Sequence, residues 1–106
     1  MKAIFVSPAG SVDEFEVEPG TSLMLAATSN GLTDIVGDCG GSASCATCHV
    51  YVDPEFAALL PPMSNSENQM LDATAAPRES NSRLSCQILM HESLDGIRVR
   101  VADPQL

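Results

Sequence analysis

Three cysteines, Cys39, Cys45 and Cys48, fall within ten consecutive positions of the segment DCGGSASCATCHV, and nothing larger than threonine separates them. The spacers are Gly40, Gly41, Ser42, Ala43, Ser44, Ala46 and Thr47. A loop so poor in side-chain bulk can lay its backbone directly against an enclosed object, and its two adjacent glycines can adopt φ values that other residues resist. A fourth cysteine, Cys86, follows Cys48 after 37 intervening residues. The pattern is three donors from one loop and one from a distant segment, so the fold must bring the two stretches together.

Several chemistries use four cysteines. A disulfide framework belongs to oxidising compartments, and the opening MKAIFVSPAG lacks the long apolar core and small-residue cleavage site of an export signal. Structural zinc usually draws its ligands as two close pairs from tight knuckles, not as three plus one from a glycine-rich loop. Four unrelated core cysteines would not crowd three into one loop. A [2Fe–2S] cluster accounts for the cysteines and for the small residues between them. Four thiolates hold the irons, and the loop backbone must approach the inorganic sulfides closely enough for its N–H groups to donate to them.

Length and charge narrow the possible roles. A chain of 106 residues is expected to form one domain, residues 1–106, burying about 65% of the surface it exposes when unfolded. Its apolar runs are far shorter than the ~20 residues a bilayer span needs, so no membrane association is expected and a cytoplasmic location is. Five Lys and Arg against fourteen Asp and Glu give a net charge of −9. Such a surface repels nucleic acid and anionic lipid and attracts basic proteins.

Along the chain, AIFVS (Ala3 to Ser7) and VDEFEV (Val12 to Val17) read as a hairpin around the turn PAG. TSLMLAATSNG reads as a helix capped by Thr21 or Ser22 and stopped by Gly31, with Leu23, Ala26 and Ala27 on its inner face. HVYV is a short strand, and Asp53-Pro54 opens a short helix that Pro61 and Pro62 end. Ser64-x-x-Glu67 has the form of a capping box for another short helix through Met70 and Leu71. RLSCQIL (Arg83 to Leu89) and IRVRV (Ile97 to Val101) alternate as strands. The sum is an α+β protein, one principal helix on a sheet, whose strand order periodicity does not fix.

The stretch GDCGGSASCATCHVYV, with RLSCQI downstream, resembles the [2Fe–2S] ferredoxins of the adrenodoxin/putidaredoxin type. The likeness extends to SLM and SNG at the two ends of the first helix and to LDGI near the last strand. A first gap of five residues, not four, separates this class from plant-type ferredoxins. The resemblance implies the β-grasp fold, a mixed sheet with one principal helix packed on it and an irregular cluster-binding loop. It implies one [2Fe–2S] cluster ligated by Cys39, Cys45, Cys48 and Cys86. It also implies a non-enzymatic one-electron shuttle, probing two partners in turn as a monomer: an FAD-containing ferredoxin reductase and a cytochrome P-450 monooxygenase. A ferredoxin serving iron–sulfur cluster assembly shares the spacing, and a zinc-stabilised interaction module is the reading from another class.

The resemblance also places the partner-binding face at Asp34, Asp38, Glu67 and Asp72, and makes the residue at Leu106 part of recognition, where this chain has leucine in place of an aromatic residue. Of the acids, only Asp38 adjoins a ligand. His49 and His91 are surplus to a complete set of four thiolates and are not expected to be ligands, and His49 is expected to be structural. Met24, Met70 and Met90 are expected to fill the core.

Overall fold

The structure is a computed structural model and describes residues 1–32, 35, 47–103 and 105. Five strands form one mixed sheet: β1 (Lys2–Val6), β2 (Val12–Glu16), β3 (His49–Val52), β4 (Ser82–Leu84) and β5 (Ile97–Val101). Their spatial order is β2-β1-β5-β3-β4. β1 runs parallel to β5 at the centre, and the other neighbours are antiparallel. Among the described residues there are also three α-helices, α1 (Leu23–Ser29), α2 (Pro54–Ala57) and α3 (Asn65–Leu71). A mixed sheet holding one principal helix against its inner face is the expected β-grasp.

Local chemistry explains the elements. Ser22 caps α1 by accepting from the N–H of Leu25 at 3.1 Å. At the other end Gly31 takes φ 80°, its N–H donates to the carbonyl of Thr28, and the N–H of Leu32 donates to that of Ala27. This pair of bonds is the Schellman arrangement, which needs a left-handed residue at the position glycine occupies. Leu23, Met24, Ala26 and Ala27 are buried on the face of α1. They pack with Phe5, Val50, Val52, Leu84, Ile88, Ile97 and Val99 in one core. β5 alternates as expected, with Ile97, Val99 and Val101 inward and the two arginines outward.

One element departs from the sequence reading. Arg83 to Leu89 is not a continuous strand: β4 ends at Leu84, and Ser85–Gln87 turns into a 3-10 helix. The reason lies in the neighbour. β4 is an edge strand whose one partner among the described residues, β3, begins at His49, opposite Leu84, so the ladder runs out there. The Ser85 N–H instead donates to the carbonyl of Cys48 at 2.9 Å, and the turn brings Cys86 beside Cys48. Ile88 to Met90 is then stitched to the entrance of α1 by the Leu23 N–H on the Ile88 carbonyl and the Met90 N–H on that of Thr21.

Candidate metal centre

Cys48 stands immediately before β3 and Cys86 in the turn after β4, and the antiparallel pairing of these strands brings the two ends together. Both are buried thiols, neither in a disulfide. They lie within hydrogen-bonding reach of each other, and that contact, followed by burial, raises the pKa of the protonated Cys48 thiol. Gln87 donates from Nε2 to the sulfur of Cys86 at 3.4 Å. Two sulfurs converging in a dry site, one already accepting a side-chain amide, suit a soft metal centre of iron and sulfide, where amide donors to sulfur stabilise the thiolate form. The residues fit the cluster that the spacing implies. Cys39, Cys45 and the spacers Gly40, Gly41, Ser42, Ala43, Ser44 and Ala46 lie outside the described residues, while Thr47 is buried directly before Cys48.

His49 is completely buried, and its Nε2 lies 2.8 Å from the hydroxyl of Ser82 across the β3–β4 pair. Its ring also meets Tyr51 edge-on, with centroids 4.8 Å apart. Burial, aided by the positive charge of Arg78, pulls its pKa down to about 4, so the ring beside the cysteine is neutral near pH 7. It is tied to a strand through Ser82, as a structural histidine should be. Met24 and Met90 are core residues and Met70 packs against the core.

The acidic positions separate sharply. Glu67 is 1% exposed, and its carboxylate receives Arg83 Nε at 2.7 Å, Arg83 Nη2 at 3.0 Å and the Leu84 N–H at 2.9 Å. A residue enclosed in this way presents nothing to a docking protein, which corrects its assignment to the partner face. The capping box is correspondingly half formed: Ser64 accepts from the Glu67 N–H at 3.1 Å, while the Glu67 carboxylate turns to Arg83. Asp72 is exposed at the end of α3 and is paired with Arg78 at 2.8 Å. Asp34, Asp38 and Leu106 lie outside the described residues. Sequence reasoning missed Arg83, Ser85, Gln87 and Gln105. Only Gln87 carried a signal, as an amide next to a cysteine.

The comparisons with known proteins agree with this chemistry. Residues 6–91 match the family model for the 2Fe-2S iron-sulfur cluster binding domain. Putidaredoxin of Pseudomonas putida is 54% identical over 104 residues, spanning 98% of this chain and 97% of that one. A crystal structure of a reduced cysteine-to-serine variant of putidaredoxin superimposes with a TM-score of 0.98 at 53% identity, covering all of both chains. Putidaredoxin in its covalent complex with putidaredoxin reductase matches with a TM-score of 0.95 at 54% identity, over 97% of this chain and 99% of that one. The chain belongs to the adrenodoxin/putidaredoxin-type [2Fe–2S] ferredoxins, holds one [2Fe–2S] cluster, and is an electron carrier, not an enzyme.

Proposed function

We propose that this protein, a single domain over residues 1–106, accepts one electron at a time from an FAD-containing ferredoxin reductase and passes it to a cytochrome P-450 monooxygenase in the cytoplasm. The observation that carries the reading is the meeting of the buried Cys48 and Cys86 sulfurs, with Gln87 donating to one of them. Cys48 and Cys86, together with Cys39 and Cys45, would hold the cluster, and the small side chains of Gly40 to Ser44, Ala46 and Thr47 would leave room for backbone to approach it. When bound, the cluster supplies a one-electron couple. The chain's part is to hold its thiolates still: Cys48 by the Ser85 N–H on its carbonyl, and Cys86 within a turn tied to α1 through Leu23 and Ile88. A ligand frame that does not move on reduction keeps the reorganisation that accompanies electron transfer small.

Partners are met through charge. The net −9, with further negative charge from a thiolate-bound cluster, steers basic surfaces toward the protein. Steering fades beyond the ~8 Å screening length of physiological salt, which suits a carrier that must also leave. Asp38 beside the first ligand, Asp34, the half-neutralised Asp72 and Leu106 make up the proposed contact set. The reading as a donor to cluster assembly has no observation in its favour here. Anaerobic stopped-flow mixing with NADH and putidaredoxin reductase tests the proposal: the reading expects rapid bleaching of the cluster absorbance that slows as salt is added. Absence of reduction by this and other FAD-containing ferredoxin reductases would contradict it.

A further inference from the structure

We propose that Gln105 is a positioning residue for the metal centre: its side-chain amide, inserted between β3 and β5, fixes the peptide that joins Cys48 to His49. The proposal rests on the ligation by Cys48 put forward above.

The pairing of Val50 with Val101 sets His49 opposite Ala102. In a hydrogen-bonded antiparallel pair the two residues would exchange both N–H to carbonyl bonds. Only one is made directly, from the Ala102 N–H to the His49 carbonyl at 3.2 Å. The other passes through Gln105: the His49 N–H donates to Oε1 at 3.0 Å, and Nε2 donates to the Ala102 carbonyl at 2.7 Å. Nε2 also reaches the His49 carbonyl at 2.9 Å. A primary amide has one acceptor oxygen and two N–H donors, and this one uses all of them while 9% exposed. It stands in the ladder where an ordered water could, but is covalently tethered.

The consequence concerns a single peptide plane. The N–H that Gln105 accepts from and the carbonyl that receives the Ser85 N–H at 2.9 Å belong to the same peptide, between Cys48 and His49. Because that unit is planar, holding it at both ends fixes the torsions on either side, including ψ of Cys48. One hold comes from the residue before Cys86, the other from a segment beyond β5. Groups outside the first coordination shell orient ligands in this way, and losing one typically costs ten- to a hundredfold in metal retention.

The test compares holoprotein with Gln105→Ala, with Gln105→Glu, and with Phe5→Leu as a core variant in β1, away from the site. Three quantities are read: hydrogen exchange in fragments that include the His49 amide, the rate at which a chelator bleaches the cluster, and the electron paramagnetic resonance spectrum after reduction. Gln105→Ala should bleach about tenfold faster, exchange faster at His49 and show an altered spectrum. Gln105→Glu keeps an acceptor for the His49 N–H but sets a carboxylate oxygen against the His49 and Ala102 carbonyls, so it should also bleach faster than wild type. Phe5→Leu, compared at its own loss of thermal stability, should leave exchange at His49 and the spectrum unchanged. If Gln105→Ala matched Phe5→Leu in all three, Gln105 would be an ordinary structural residue and the proposal would fail. If Gln105→Ala does not fold, an unaltered spectrum and bleaching rate in Gln105→Glu overturn it equally. Iron missing from the wild type would instead contradict the Cys48 assignment beneath it.

Discussion

Arg83 grips Glu67 with two parallel hydrogen bonds, 2.7 and 3.0 Å long, inside the protein, and so ties α3 to β4 directly before the turn that carries Cys86. The Leu84 N–H donates a further bond to the same carboxylate, and Arg83 Nη1 donates to the Pro61 carbonyl. The pair therefore acts as a brace between the irregular middle of the chain and one side of the metal centre.

Breaking one half of a buried pair leaves a charge without its partner. Arg83→Ala should lower the unfolding free energy of the holoprotein by about 3–5 kcal/mol, measured by denaturant titration, and should shorten cluster lifetime. Replacing both partners with apolar residues of similar volume, Glu67→Leu with Arg83→Met, should recover much of the loss. A double variant as unstable as the two single losses combined would show that the brace works by more than mutual neutralisation.

Asp72 and Arg78 meet at the surface, where Asp72 is 73% exposed. Exposed pairs of this kind contribute between 0 and about 1 kcal/mol, so Asp72→Asn should hardly shift thermal unfolding. Its effect on association with a basic partner should also be modest, because Arg78 already offsets its charge.

Asp38→Asn should slow reduction by the reductase and flatten its salt dependence without altering the absorption spectrum, since rim charges act chiefly on association rates. Glu14→Gln should matter much less, because Glu14 lies on β2, the sheet edge opposite β4, and is paired with Lys2 at 3.2 Å. Equal losses in the two variants under stopped flow would mean that the −9 only keeps the protein soluble.

A side chain at Gly31 would meet no atom within 4 Å, so the cost of adding one is conformational alone. Gly31→Ala forces alanine to hold φ near 80° and should destabilise the protein by about 1 kcal/mol, detectable as a lowered denaturation midpoint with the cluster spectrum intact.

Features written in adjacent residues were legible before the fold was known. The caps at Ser22 and Ser64, the stop at Gly31 and the alternation of Ile97, Val99 and Val101 each need only local spacing, and all occur where expected. The cysteine spacing pointed to the chemistry because a cluster-wrapping loop tolerates so few side chains. What stayed hidden depends on contacts distant in sequence. Glu67 looked like half of a capping box because its partner, Arg83, is sixteen residues away. The break at Ser85 was invisible because Leu84, Cys86 and Ile88 are all buried and imitate a strand, while the true cause is where β3 begins. Gln105 offered no pattern at all, since its partner is fifty-six residues earlier.

The most direct test of the central claim is the iron and acid-labile sulfide content of purified protein, taken with its visible spectrum, for wild type and for Cys39→Ser, Cys45→Ser, Cys48→Ser and Cys86→Ser. Wild type should be red-brown and carry about two irons and about two sulfides per chain, and each serine variant should lose the cluster or hold it poorly. A colourless protein saturated with zinc and free of labile sulfide, or a wild-type spectrum and metal content in any of the four variants, would contradict it.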